Sequence, residues 1–172
     1  MATIRGIRPC LWFDSEAEQA AKFYTGIFSN SRIIATTHYG EAGMATHRRP
    51  PGSVMTVVFE LDGHEFTALN GGPVFRLTEA VSFEVRCETQ DDIDHYWKKL
   101  TAGGDDRAQQ CGWLKDKFGL SWQIVSENMA ELLGDSDPEA AGRTMETMLH
   151  MKKIDIAALE RAHAGETAGV HA

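Results

Sequence analysis

The chain has 172 residues, 42% hydrophobic and 24% charged, and seventeen Lys and Arg against twenty-five Asp and Glu give a formal net charge of −8. That length fits one large or two small domains with a real core, and the acidic balance argues against a nucleic-acid or anionic-membrane partner. No apolar run reaches the ~18–20 residues that cross a bilayer. Residues 1–8 lack the apolar stretch of a secretion signal, and Cys10, Cys87 and Cys111 have no metal-type spacing, so the expected location is a reducing cytoplasm.

In chain order, residues 7–13 form a short apolar run ending at Asp14-Ser15, which predicts a buried strand feeding a helix. Ser15 and Glu18 have the spacing of a capping box, in which each side chain satisfies an N–H left unpaired at the helix start. Ala17, Ala20, Ala21, Tyr24, Ile27 and Phe28 then recur on one helical face. Residues 32–39, 54–61 and 65–69 are rich in β-branched and aromatic types, and Asp62-Gly63 is a hairpin signal between the last two. The glycine- and proline-rich stretch 40–52 predicts a mobile loop.

A second cycle follows Asn70-Gly71-Gly72-Pro73. Residues 80–87 are strand-like, and Thr89 opens a helix with apolar Ile93, Tyr96, Trp97 and Leu100, stopped by Gly103-Gly104. Three strand candidates follow at 108–110, 113–115 and 120–125, with Asp116 to Gly119 as the turn before the last. The order strand–helix–three strands thus occurs twice at a spacing of about 73 positions, a repeat of pattern rather than of residues. Asp137-Pro138-Glu139 caps a helix with an Ala141, Met145, Met148, Leu149 stripe. Asp155 caps a last helix carrying Ile156, Leu159 and Ala162.

Several stretches resemble the PhnB-like branch of the vicinal oxygen chelate superfamily, which includes glyoxalase I, extradiol dioxygenases and bleomycin-resistance proteins. They are Pro9 to Asp14, Phe23-Tyr24, the run Gln110-Cys111-Gly112-Trp113-Leu114-Lys115-Asp116 through Val125, and Asp137-Pro138-Glu139 with Met148 to Ile156. The resemblance implies an α+β fold in which two βαβββ modules form a cup-shaped mixed sheet, with C-terminal helices added. The expected division is a vicinal oxygen chelate domain over 1–126 (module one 4–72, module two 80–126), a helical extension over 127–164 and a frayed tail over 165–172. It also implies a homodimer. The branch often carries the label 3-demethylubiquinone 3-methyltransferase, which the residues do not support. A nucleotide-type methyl donor asks for a glycine-rich strand-to-helix turn, whereas here the strand runs into Asp14-Ser15-Glu16.

In metal-dependent relatives each of four strands supplies a His or Glu to the cup. Matching this chain to that pattern places the four positions at Pro9, Phe66, Ser82 and Gln123, a set without imidazole, thiolate or carboxylate. No metal and no other cofactor is therefore expected. A relocated site from His64, Glu84 and Gln123 is the alternative, set against His64 as a surface residue at a strand end. The other histidines lack a helical i, i+4 partner.

Strand alternation puts Pro9, Leu11 and Phe13 on one face, and Ser82, Glu84 and Arg86 on one face of the second module. The family match turns both faces toward the cup, joined by Phe66, Ala68 and Asn70 from the first half and by Ser121, Gln123 and Val125 from the last strand. The expectation is an apolar cavity with a few convergent polar groups that holds a small organic molecule. Glu84 is the candidate catalytic residue, as a carboxylate among Phe13 and Phe66, with a structural Glu84–Arg86 ion pair as the competing role. Phe13, Phe66, Asn70, Ser82, Arg86, Trp113 and Gln123 are the candidate ligand-binding residues. Trp12 and Trp122 are expected under the helices, and Cys111 as an inert thiol. Three functions follow: a metal-free binder or enzyme for a small organic molecule, a metal-dependent glyoxalase or dioxygenase with a relocated site, and a non-catalytic dimeric interaction protein.

Overall fold

The structure is a computed structural model and describes residues 3–166. The chain divides into two compact units, the first running to Leu77 and the second from Thr78. Among the described residues no helix is long and apolar enough to cross a membrane.

The first unit has the order β1 (Cys10–Phe13), α1 (Ala17–Thr25), β2 (Arg32–His38), α2 (Met44–His47), β3 (Val54–Leu61), β4 (His64–Asn70). Its sheet is ordered β1-β4-β3-β2, with β1 parallel to β4 and the other pairs antiparallel. Leu11, Phe13, Val57, Phe59, Leu61, Phe66, Ala68 and Asn70 are buried on one face, and α1 lies on that face. The Tyr24 ring stacks at 6.1 Å from Phe59, which stacks at 5.4 Å from Phe66.

Several local expectations need correction. The first strand is shorter than the apolar run, since Ile7 is 93% exposed and pairing starts at Cys10. The capping box does not form. Glu18 pairs with Lys22 at 2.7 Å, and the Ala17 N–H is taken at 2.8 Å by Oδ1 of Asn70, which pairs with Phe13 at the end of β1. The 40–52 stretch is tied down rather than loose. It contains α2, the Gly52 N–H donates to the Tyr39 carbonyl, and Arg49 pairs with Asp14 at 2.7 Å.

The second unit has the order β5 (Ser82–Cys87), α3 (Gln90–Leu100), β6 (Trp113–Lys115), β7 (Ser121–Ser126), α4 (Met129–Leu133), α5 (Pro138–Leu149), α6 (Ile156–His163). The sheet is ordered β5-β7-β6, with β5 parallel to β7 and β6 antiparallel to it. It repeats the first unit without a counterpart of β2. The strand expected at 108–110 is a 3-10 turn, Asp106–Ala108, followed by a single bridge from Gln110 to Trp113. Asp105 explains the turn, because its carboxylate caps the Arg107 N–H and pairs with the guanidinium at 2.9 Å. Thr89 caps α3 as expected, accepting from the Asp92 N–H at 3.2 Å.

The C-terminal helices dock on this unit through a short strap. The N–H groups of Cys111 and Gly112 donate to the carbonyls of Met151 and Lys152, each at 2.8 Å. The Gln90 amide donates to the Ile154 carbonyl at 3.1 Å and accepts from the Ile156 N–H at 3.0 Å. Gly112 requires its lack of a side chain, having φ +83° and a Cβ position 2.7 Å from the Ile124 carbonyl oxygen. On α5 the buried positions are Ala140 and Thr144, while Met145 and Leu149 of the expected core stripe are exposed. Arg143 accounts for the rotation by donating to the Ala162 and His163 carbonyls at 2.9 and 2.7 Å. Of the tail expected to fray, 167–172 lie outside the described residues.

The cysteines differ in ways a titration can read. Cys10 is exposed and Cys87 buried, and burial pushes the Cys87 thiol up to about 11. With Ellman's reagent at pH 8, Cys10 is expected to react in the native protein and Cys87 only on unfolding. The folded state holds Cys87 protonated where the unfolded state ionises. Its contribution to stability is thus complete below the ordinary thiol range and lost as pH rises toward 11.

Candidate functional site

In the second unit β5 and β7 run parallel in direct register: Ser82 with Ser121, Glu84 with Gln123, Arg86 with Val125. On the other side of β7, Trp113 pairs with Gln123 and Lys115 with Ser121. Directly paired residues share a face, so two cross-strand rows form, Trp113–Gln123–Glu84 and Lys115–Ser121–Ser82. Cys87, Trp122 and Ile124 point the opposite way and are buried, with Asp92 of α3 acting electrostatically on Cys87. The face carrying the two rows is therefore the one α3 leaves free, as alternation predicts. On it Glu84 and Arg86 are exposed, and Ser82, Trp113 and Gln123 half-buried. The Gln123 amide N–H donates to Ser82 Oγ at 2.8 Å. Glu84 and Arg86 do not form an ion pair.

The first unit reverses the expected faces. Phe13, Phe66 and Asn70 lie on the covered side, beneath α1. Leu11 pairs with Ala68 and Phe13 with Asn70, as Val85 pairs with Ile124 and Cys87 with Ser126. Leu11 thus stands where Val85 does, 74 positions on rather than 73, and a one-residue slip turns every side chain to the other face. Phe13 and Phe66 are packed into the core. Asn70 is engaged at both ends of its amide, Oδ1 accepting from Ala17 N–H and Nδ2 donating to the Val54 carbonyl at 3.0 Å.

The same slip moves Trp12 out from under the helix. Its indole N–H donates to the Gly72 carbonyl at 2.8 Å, and its ring meets Phe75 edge-on at 5.0 Å. Gly71 passes so close beneath the indole that no Cβ fits there. Trp122 is buried as expected, its Nε1–H donating to Asp116 Oδ2 at 2.9 Å.

A divalent metal does not fit the residues present. Phe66 is enclosed by Phe59 and α1, Pro9 offers no donor, and Gln123, whose amide N–H goes to Ser82, offers only a neutral carbonyl oxygen. His64 turns Nδ1 to the Asp62 carbonyl at 3.1 Å. Among the described residues no group of three or more His, Cys, Asp or Glu could hold a metal ion. Sequence reasoning placed Ser121 on this face and missed Lys115 and Glu79. Lys115 and Glu79 form an ion pair, and Ser121 Oγ is buried with no hydrogen-bond partner. Alternation from Trp113 would have placed Lys115 on the free face, but the ion pair has no sequence signal.

The fold and the comparisons place the chain in the vicinal oxygen chelate superfamily. The chain belongs to the 3-demethylubiquinone-9 3-methyltransferase family, the PhnB-like branch, whose model matches residues 5–125. A PhnB protein from Bacillus cereus, described as a putative 3-demethylubiquinone-9 3-methyltransferase, is 33% identical, with 71% of this chain and 99% of that one covered and a TM-score of 0.61. PA1353 from Pseudomonas aeruginosa, at 16% identity, covers 70% of this chain and 96% of its own with a TM-score of 0.55. The fosfomycin resistance protein FosX from Listeria monocytogenes, in complex with Mn(II) and sulfate ion, is 15% identical over 77% and 98%, TM-score 0.51. These last two share the fold. No curated protein matches the chain.

Proposed function

We propose that this protein binds a small organic molecule on the free face of its second sheet, without the divalent metal used by other members of the superfamily. The carrying observation is the convergence on one face of Ser82, Glu84, Arg86, Trp113 and Gln123, an indole beside groups of both charges and an oriented amide. Glu84 is exposed beside Gln123, so it is free to take a proton from a bound molecule or to orient it. Methyl transfer is not part of the reading. The first N–H of α1, where the carboxylate of a sulfonium methyl donor would approach, is held by Asn70, and Asp14 and Glu16 flank it.

A fluorescence screen of small aromatic and acidic metabolites tests this. A bound compound is expected to perturb Trp113. Glu84→Ala should weaken it roughly tenfold with an unchanged urea midpoint, since the side chain is exposed. Binding that ignores both Glu84 and Trp113 overturns the reading. Metal analysis of untagged protein purified without chelators is expected to give a substoichiometric content. A stoichiometric transition metal would instead favour the relocated-site enzyme.

The dimeric interaction protein has one observation in its favour, the exposed Met145 and Leu149 on α5. We place the protein in the cytoplasm as a homodimer, on its unpaired cysteines and its superfamily. Sedimentation equilibrium checks the dimer.

A further inference from the structure

The row Lys115–Ser121–Ser82 has a donor imbalance that the packing of the sheet does not explain. Ser82 Oγ already accepts from the Gln123 amide, which leaves its own hydrogen to be donated elsewhere. Ser121 is 1% exposed, and its Oγ has neither a protein partner nor access to solvent. A buried hydroxyl left in this way is costly in a folded protein and calls for an explanation. Lys115 completes the row with an ammonium whose side chain is only 24% exposed. Two hydroxyl donors and a half-buried cation therefore stand side by side on adjacent strands. Among the described residues, the carboxylate that pairs with this row is that of Glu79, which meets Lys115 from the segment before β5. Asp105, the other carboxylate acting on Lys115, is already held by Arg107.

We propose that Lys115, Ser121 and Ser82 form a subsite for the oxyanion of a small acid, a carboxylate or a phosphoryl group, and that Glu79 holds the Lys115 cation of that subsite until a ligand displaces it. The inference rests on the free face of the second sheet being a ligand site, and it specifies the ligand: an acid whose anionic end sits on this row and whose body reaches Trp113 one row away. Glu79 presents the same chemistry as the ligand, a carboxylate on Lys115, but comes from an exposed segment, its side chain 60% exposed. Such a pair is weak on its own, so displacement is easy. Charge-assisted hydrogen bonds from Lys115 and the two hydroxyls supply the affinity.

The test is isothermal titration calorimetry at low ionic strength with acetate and inorganic phosphate as bare anions, and with benzoate and phenyl phosphate as acids whose ring reaches Trp113. Whichever pair binds tells a carboxylate site from a phosphoryl one. Glu79→Gln removes the competing charge and is expected to tighten binding roughly tenfold, while Lys115→Met weakens it at least about tenfold. Ser121→Ala should weaken binding severalfold while the urea midpoint holds or rises, because an unpaired buried hydroxyl is deleted. A purely structural serine would show the reverse.

Binding unchanged by Glu79→Gln, Lys115→Met and Ser121→Ala means an adventitious ion and overturns the subsite. The same holds for a ring compound that depends on Trp113 and Glu84 but not on Lys115, an outcome that leaves the broader ligand-site reading standing. Anion binding that follows Lys115 and Ser121 while no ring compound perturbs Trp113 supports the anion subsite and overturns the part of the broader reading that sets a ligand body on Trp113.

Discussion

Asp116→Ala is expected to be among the most damaging single substitutions in the second unit, lowering unfolding free energy by about 3–4 kcal/mol. Asp116 is 2% exposed and organises the turn between β6 and β7. Its Oδ1 accepts from the N–H groups of Phe118 and Leu120 at 2.8 and 3.1 Å, and its Oδ2 from the Trp122 indole at 2.9 Å. Truncation leaves three donors, two of them buried, without this acceptor and opens space under the indole. Asp116→Asn separates the two causes, since its carbonyl can still serve the two turn N–H groups while its amide faces the indole N–H. It should recover about half of the loss. Urea unfolding followed by near-UV circular dichroism reads both variants. A midpoint within error of wild type for Asp116→Ala would mean that the turn is held by backbone bonding alone.

The turn shows what a sequence makes legible. Asp116 to Gly119 announces itself because Asp bonds its own backbone two residues on and Gly119 takes φ +86° without penalty. Strands β3, β4, β6 and β7 and helices α3, α5 and α6 likewise follow from alternation, helical spacing and local caps such as Thr89, Asp137 and Asp155. The faces were less legible. In the second unit the polar Ser82, Glu84 and Arg86 alternate with the apolar Phe83, Val85 and Cys87, so the sequence itself marks the buried side. In β1 both faces are apolar, Leu11 and Phe13 against Cys10 and Trp12, and only the pairing with β4 decides which one α1 covers. That is why Ser82, Glu84, Arg86, Trp113 and Gln123 come together on a free face while Phe13, Phe66 and Asn70 lie beneath a helix.

The extension beyond the family model bears on the same question. The family model's match ends at Val125, before α4 to α6. Their strap bonds the Cys111 and Gly112 N–H groups directly before Trp113. Cys111 and Gly112 both adopt positive φ, and the strap holds them there. These helices thus fix the point at which the chain turns into β6 and places Trp113 opposite Gln123.

Asn70→Ala tests whether a residue read as ligand-binding is instead a keystone of the first unit. Both ends of the Asn70 amide are committed, to the Ala17 N–H that opens α1 and to the Val54 carbonyl that opens β3, and its own carbonyl accepts from the Tyr39 hydroxyl at 2.6 Å. Truncation removes the helix cap, worth about 1 kcal/mol, and strands a buried N–H and a carbonyl at a further cost of about 1–2 kcal/mol. The expected loss is about 2–3 kcal/mol. Asn70→Asp sharpens the test through pH. Near pH 7.5 an ionised carboxylate could still accept from Ala17, but would face the Val54 carbonyl with no hydrogen to give. Once protonated it would match the amide on both sides. The variant should therefore be nearer wild type at pH 4.5 than at pH 7.5, because the folded state raises the pKa of the new acid. Urea midpoints at the two pH values read the difference. A wild-type midpoint for Asn70→Ala, combined with loss of ligand binding, would return Asn70 to the binding site and place the error in the face assigned to α1.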